Sequence, residues 1–207
     1  MKTCLIITGG DYEEMPDRIQ YDFAIACDRG YEYAKRMKLS PDVIIGDFDS
    51  AAEPSEYSGI SVVRAPHEKD DTDTMLAIKY ALGLKYEHII LLCALGSRFD
   101  HTLANIQSAA YVAKAGGVCE IVSEKEWMRT ITAKDGRIVL PAIKGRSFSL
   151  FSITDKCEGL TVSGAYYDCT NATFTNTFPL GQSNEWVEKE ATVSIKDGIL
   201  LAVESAM

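Results

Sequence analysis

The sequence predicts an α/β domain on a doubly wound, Rossmann-like parallel sheet, followed by an antiparallel β-sandwich. Three observations carry this. The first 125 residues alternate short apolar runs with helical patterns, which is the signature of strand–helix–strand units. Runs such as Ile89-Ile90-Leu91-Leu92 are continuously apolar, as strands buried on both faces of a parallel sheet are. From about Trp127 the segments become short and β-branched or aromatic, punctuated by Asp135-Gly136, Lys144-Gly145, Glu158-Gly159, Ser163-Gly164 and Asp197-Gly198. Turn dipeptides at that spacing mark hairpins.

In order, the apolar runs predict strands over 3–8, 21–27, 43–45, 61–64, 88–95 and 118–123. Helical patterns fall at about 30–37, 72–84 and 100–115. The second half predicts strands over 137–140, 148–153, 160–163, 173–178, 190–195 and 199–203, with no amphipathic helix. The change of character lies between residues 124 and 141, which gives domains of 1–130 and 131–207. There is no internal repeat, low-complexity tract or long linker.

A chain of 207 residues accommodates one large domain or two small ones. Its 46% hydrophobic and 25% charged content is that of an ordinary soluble protein. No apolar run reaches the roughly 20 residues of a membrane span, and Met1 to Gly10 reads as a first strand rather than a secretory signal. The expected location is the cytoplasm. A net charge of −9 argues against a nucleic-acid partner, which needs a basic footprint. It leaves room for a small anionic substrate neutralised locally by metal ions. Six cysteines are widely spaced with no Cys-x-x-Cys pair, and Cys4, Cys27, Cys93 and Cys119 lie inside apolar runs. They read as reduced core residues.

The polar residues are concentrated where the predicted strands end. The run Val43-Ile44-Ile45-Gly46 gives way to Asp47-Phe48-Asp49-Ser50. Two carboxylates two residues apart project to one side of an extended segment, and their repulsion is relieved by a cation between them. The strand at 21–27 is followed by Asp28-Arg29-Gly30, and the one at 61–64 by Pro66-His67-Glu68-Lys69-Asp70-Asp71-Thr72-Asp73. The strand at 88–95 is followed by Gly96-Ser97-Arg98-Phe99-Asp100-His101. Each cluster has a structural reading by itself: a turn at Asp28, a helix cap within Asp70 to Asp73, another cap at Asp100-His101. Together they place four acidic clusters at the carboxyl ends of four strands, the edge where open parallel sheets bind ligands. Several carboxylates with Arg29, Lys69 and Arg98 suit magnesium-nucleotide chemistry. Helix N-termini at the same edge add donors for phosphate. The chain has no Gly-x-x-x-x-Gly-Lys-Ser/Thr loop, no Gly-x-Ser-x-Gly elbow and no Gly-x-Gly-x-x-Gly fingerprint.

In this order, Asp28-Arg29-Gly30, Gly46-Asp47-Phe48-Asp49-Ser50, Glu68-Lys69-Asp70-Asp71-Thr72-Asp73 and Leu95-Gly96-Ser97-Arg98-Phe99-Asp100-His101 resemble the successive motifs of the thiamine pyrophosphokinases. In the tail, Gly159-Leu160-Thr161-Val162-Ser163-Gly164-Ala165-Tyr166-Tyr167 and Gly181-Gln182-Ser183-Asn184-Glu185 resemble that family's thiamine-binding segments. The resemblance implies an α/β catalytic domain that binds ATP and Mg2+, a thiamine-binding β-sandwich, and a homodimer whose active site lies at the subunit interface. It implies transfer of the pyrophosphoryl group of ATP to the hydroxyl of thiamine, giving thiamine diphosphate and AMP. By motif position, Asp28, Asp47, Asp49 and Asp70 are the implied magnesium ligands. Asp28, Arg29, Gly30, Lys69, Asp70, Thr72, Ser97 and Arg98 are the implied nucleotide and metal positions, and Asp73, Arg98 and Asp100 the catalytic ones. Asp73 and Asp100 are alternative acceptors for the proton of the thiamine alcohol. Tyr167, Ser183 and Asn184 fall at the implied thiamine contacts. The chain departs from the family pattern at Ser97, where a second glycine is common, and at Asp168-Cys169, where Pro-Leu is frequent.

Two rival readings remain. Asp47-Phe48-Asp49 also matches the nucleophile pair of a haloacid dehalogenase-type phosphatase, although that motif follows a first strand and here two strand-like runs precede it. A non-catalytic nucleotide or vitamin sensor would need fewer convergent carboxylates.

Overall fold

A computed structural model describes residues 1–46, 59–64, 70–96 and 98–207. The chain divides into two compact units, Met1–Val112 with Cys119–Glu124, and Ala113–Val118 with Lys125–Met207.

The first unit is built on strands β1 (Thr3–Ile7), β2 (Phe23–Cys27), β3 (Val43–Gly46), β4 (Ser61–Arg64), β5 (His88–Leu92) and β6 (Val118–Val122). They lie in the order β6-β5-β1-β2-β3-β4. β1 pairs in parallel with both β2 and β5, β2 with β3, and β3 with β4. Cys4 to Ile7, Ala24 to Ala26, and Ile89 to Leu92 are all buried; covered faces on both sides leave no polar alternation in these strands. From β1 the chain moves outward through β2, β3 and β4, then returns to the other flank of β1 as β5. That reversal is the topological switch point at which open α/β sheets form a crevice.

Helix α1 (Gly30–Arg36) packs on β1 and β2, and α2 (Asp73–Gly83) on β1, β2 and β3. Helix α3 (Phe99–Lys114) follows β5. The start of α2 is fixed by Thr72, whose hydroxyl accepts from the Met75 N–H at 3.1 Å, with Asp73 in the first turn facing the positive end of the helix dipole. The cap is therefore a threonine, and Asp71 turns instead to Lys79, 2.6 Å away.

The second unit carries β7 (Glu126–Ile131), a 3-10 turn (Ala133–Asp135), β8 (Ile138–Pro141), β9 (Arg146–Ser152), β10 (Lys156–Ser163), β11 (Cys169–Thr175), β12 (Gly181–Asn184), β13 (Glu190–Ser194) and β14 (Leu200–Ala206). Antiparallel pairing gives the orders β12-β9-β14-β7 and β11-β10-β13-β8. Phe148, Leu150, Leu200 and Ala202 from the first set share one buried cluster with Leu160, Val162, Ala191 and Val193 from the second. Trp186 packs on this cluster, its ring 4.9 Å from that of Phe148. This is the predicted sandwich.

Three details depart from the sequence reading. β7 and β12 are strands that it left out, and β11 covers Cys169–Thr175 rather than 173–178. β12 is Gly-Gln-Ser-Asn, with no strand propensity; cross-strand pairing of Gly181 with Leu150 and Asn184 with Phe148 makes it one. Register shifts at Glu158/Leu160 and Leu160/Val162 displace β11 along its partner β10.

All six cysteines are free thiols, Cys169 half-buried and the others buried. Burial pushes the Cys4 thiol up to about 12 and the Cys93 thiol up to about 11. No helix among the described residues is long and apolar enough to cross a membrane.

Candidate active site

A cavity of about 490 Å³ opens at the carboxyl ends of β1, β2 and β5. Its wall is formed by residues 8–11 after β1, 27–29 at the end of β2, 72–74 at the start of α2, and 94–96 with Arg98 after β5. His101, Ala104 and Asn105 of α3 complete it.

Two glycines shape the β2 side. A Cβ on Gly30 would collide with the Ile7 carbonyl and lie 3.1 Å from Thr8 O, so glycine lets α1 begin flush against the end of β1. That brings Asp28 and Arg29 to the cavity. Asp28 has φ +44°, a left-handed conformation rare for a residue with a side chain. Its N–H donates to Ile45 O at 3.1 Å and its carbonyl accepts from the Tyr31 N–H at 3.0 Å. The Asp28 carboxylate lies over the bare Cα of Gly46: a Cβ there would collide with Oδ1 and stand 2.9 Å from Cγ. Gly46 is the residue that precedes Asp47.

The β5 side is tied to the loop after β1. The Thr8 hydroxyl donates to Cys93 O at 2.5 Å, Gly10 N–H to the same carbonyl at 2.9 Å, and Asp11 N–H to Leu95 O at 2.9 Å. Tyr33 donates its hydroxyl to Gly10 O at 2.9 Å. Buried Asn105 donates Nδ2 to Ala94 O at 2.6 Å and so anchors the 94–96 segment to α3. Because a carbonyl only accepts, this bond also fixes which end of the Asn105 amide is the nitrogen. Arg98 is exposed and holds Asp100 through Nη2 at 2.6 Å and Nε at 3.3 Å. The Arg98 hydrogen bond keeps the Asp100 carboxyl below its ordinary range.

Of the sequence-derived candidates, Asp28, Arg29, Thr72, Asp73 and Arg98 meet on the cavity wall. Gly30 is buried behind it, Asp70 is exposed and not on the wall, and Asp100 turns to Arg98. Asp47, Asp49, Lys69 and Ser97 lie outside the described residues. Among the described residues no three His, Cys, Asp or Glu side chains form a metal cluster. The carboxylates that the described wall does hold, Asp11, Asp28 and Asp73, suit a hard divalent cation.

In the second unit, Tyr167 is 65% exposed and packs edge-on against Tyr166, ring centroids 4.9 Å apart at 82°. Ser183 is exposed at φ +59° and donates its N–H to Ser149 Oγ at 3.0 Å. Asn184 is buried, with its amide on the backbone of Tyr167 and Glu185. Sequence reasoning missed residues 8–11 and Asn105. A readable signal existed for the former, since Gly9-Gly10-Asp11 follows the first strand as directly as the other clusters follow theirs.

Comparison with known proteins agrees with this arrangement in both halves. The model of the thiamin pyrophosphokinase catalytic domain matches residues 19–120, and that of the thiamin pyrophosphokinase vitamin B1 binding domain matches residues 131–200. Thiamine pyrophosphokinase of Bacillus subtilis is 28% identical over 99% of both chains. A crystal structure of the B. subtilis enzyme superposes with a TM-score of 0.86 at 26% identity, covering all of both chains. One from Geobacillus thermodenitrificans gives 0.82 at 26% identity over 99% of this chain and 98% of that one. Yeast thiamin pyrophosphokinase, at 17% identity, shares the fold with a TM-score of 0.76 over 99% of this chain and 86% of its own. With matches to both domain models in chain order, and a cavity walled by Asp28, Arg29, Asp73 and Arg98, the chain belongs to the thiamin pyrophosphokinase family.

Proposed function

We propose that this chain transfers the pyrophosphoryl group of ATP to the hydroxyl of thiamine, forming thiamine diphosphate and AMP. The observation that carries the reading is the switch-point cavity walled by Asp28, Arg29, Asp73 and Arg98, in a chain of this family. In the reaction the thiamine alcohol oxygen bonds to the β-phosphorus of ATP. The bond from that phosphorus to the oxygen bridging to the α-phosphate breaks, and AMP leaves. The alcohol proton passes to a carboxylate. Positioning and electrostatics supply most of the acceleration in such transfers.

Asp28, Asp47, Asp49 and Asp70 are the residues proposed to hold magnesium. The ion supplies charge neutralisation on the polyphosphate. Arg29, Lys69 and Arg98 steady phosphate oxygens, with the segment around Gly30, Thr72 and Ser97 forming the nucleotide site. Of the two alternative bases, Asp73 is favoured. It lines the cavity, whereas Asp100 is engaged by Arg98 and held in its ionised form by that hydrogen bond, which weakens it as a proton acceptor. Asp100 instead orients Arg98. Residues 1–130 are read as the ATP- and magnesium-binding domain and 131–207 as the thiamine-binding domain, with Tyr167, Ser183 and Asn184 building the vitamin's site. A cytoplasmic homodimer with the active site at its interface belongs to the same reading, and the mass in solution tests the dimer.

The decisive experiment incubates the purified protein with magnesium, ATP and thiamine and identifies products by mass spectrometry. Thiamine diphosphate with equimolar AMP is the expected result. ADP with thiamine monophosphate would replace pyrophosphoryl transfer by ordinary kinase chemistry. Hydrolysis of a phosphomonoester without ATP would revive the phosphatase reading, and bound thiamine without AMP release the sensor reading. In the same assay Asp49→Asn is expected to abolish turnover while the protein stays folded; full activity would overturn the metal-site assignment.

A further inference from the structure

We propose that Asn184 is a positioning residue: it shapes the Tyr166-Tyr167 turn for thiamine by holding the Tyr167 backbone, without touching the vitamin. This rests on the reading of the chain as a thiamine pyrophosphokinase.

The turn joins β10 to β11. Asn184 Oδ1 accepts from the N–H groups of Tyr167 and Glu185, both at 3.0 Å, and Nδ2 donates to Tyr167 O at 3.1 Å. The amide thus completes both backbone hydrogen bonds of Tyr167, as a partner strand would. Neighbouring bonds brace the same turn. Tyr166 N–H donates to Glu185 O at 2.8 Å, Val187 N–H to Gly164 O at 3.1 Å, and Ala165 N–H to Asp168 Oδ1 at 2.9 Å.

Burial divides the roles. Asn184 is 6% exposed and both lone pairs of its oxygen are engaged, while the Tyr166 and Tyr167 rings are 68% and 65% exposed. The amide faces the fold and the rings face outward. Two perpendicular tyrosines offer a ring face and a ring edge, which suits a flat, cationic heterocycle such as the thiazolium of thiamine. Rings presented on a backbone fixed beforehand lose less entropy on binding. The asparagine amide meets the N–H and the C=O of Tyr167 with separate acceptor and donor atoms; aspartate lacks the donor and alanine lacks both.

The test is a double-mutant cycle of Asn184→Ala and Tyr167→Ala in the full chain, read by steady-state kinetics with mass-spectrometric detection. For Asn184→Ala, KM for thiamine is expected to rise about tenfold, the scale of one or two lost hydrogen bonds, with kcat and KM for ATP within about twofold. In the Tyr167→Ala background the same substitution should add less than about twofold. An equal rise in both backgrounds would mean that Asn184 contacts thiamine directly, and an unchanged KM that it has no part in the site; either overturns the proposal. Should Asn184→Ala fail to fold, Asp168→Ala, at an exposed position, removes the bond to Ala165 from the same turn. It is expected to raise KM for thiamine, and an unchanged value overturns the proposal. Absence of thiamine diphosphate from the unsubstituted chain would overturn the functional reading, and this role with it.

Discussion

Replacing Asn105 by alanine tests how the cavity is held open. The substitution removes the 2.6 Å bond from Nδ2 to the carbonyl of Ala94, a residue only 2% exposed. A buried carbonyl that loses its partner costs about 1–3 kcal/mol. For a chain of this size each kcal/mol lowers Tm by roughly 2–4 °C, so a fall of about 4–8 °C is expected for a mid-range loss of about 2 kcal/mol. The same bond ties α3 to the segment that carries Gly96 and Arg98. Loosening it should raise KM for ATP about threefold to tenfold, because positioning accounts for much of phosphoryl-transfer catalysis. Asn105→Asp is the sharper variant. It keeps the shape but sets a carboxylate oxygen against the Ala94 carbonyl, and should be at least as damaging in both assays. Differential scanning fluorimetry and ATP titrations at saturating thiamine provide the readouts. A Tm within about 1 °C of wild type, with KM for ATP unchanged, would refute the reasoning.

Three further outcomes follow from the same geometry. Gly46→Ala places a Cβ where the Asp28 carboxylate lies, so turnover should fall by at least about a hundredfold while the circular dichroism spectrum is retained; normal turnover would separate Asp28 from the chemistry. Arg98 holds the Asp100 carboxyl below its unfolded value, so the pair's contribution is fully present above that unfolded value, near 3.9, and is lost as pH falls through the lower folded one. The small stability difference between wild type and Asp100→Asn should therefore stay flat from about pH 5 to 8 and close only in acid; a difference that changes near neutrality would contradict it. Burial raises the thiols of Cys4, Cys93, Cys119, Cys157 and Cys169, so the native protein should react slowly with a disulfide reagent at pH 8, half-buried Cys169 first. Rapid labelling of Cys4 or Cys119 would contradict their burial.

The parallel sheet was legible because burial on both faces removes alternation, leaving runs such as Ile89-Ile90-Leu91-Leu92 unambiguous. β12 was not, because Gly181-Gln182-Ser183-Asn184 has no preference for extended structure and takes it from β9. In the site, charged residues at strand ends announced Asp28, Arg29, Asp73 and Arg98. Asn105 and Thr8 stayed hidden, since a buried amide on a helix and a threonine closing a strand look like core in sequence. What makes them part of the wall is the carbonyl each one meets, Ala94 O and Cys93 O, both in the segment that follows β5. Asp70 shows the converse. Its motif position marks it as a ligand, yet the described cavity wall begins at Thr72 on that stretch.

The place of β1 in the sheet has a consequence for how the chain is made. Its register partners on one flank lie in β2, but those on the other lie in β5, with Thr3 opposite His88, 85 positions later. At ribosomal rates of about 5–20 residues per second, one edge of β1 waits roughly 4–17 s for its partner. Over that interval a strand that is apolar from Cys4 to Ile7 presents open hydrogen-bonding groups, and the nascent chain is at its most vulnerable to pairing with another copy. A synthesis pause before β5 should lower the soluble yield, whereas one after Asn105, when both loops of the cavity have a partner, should not.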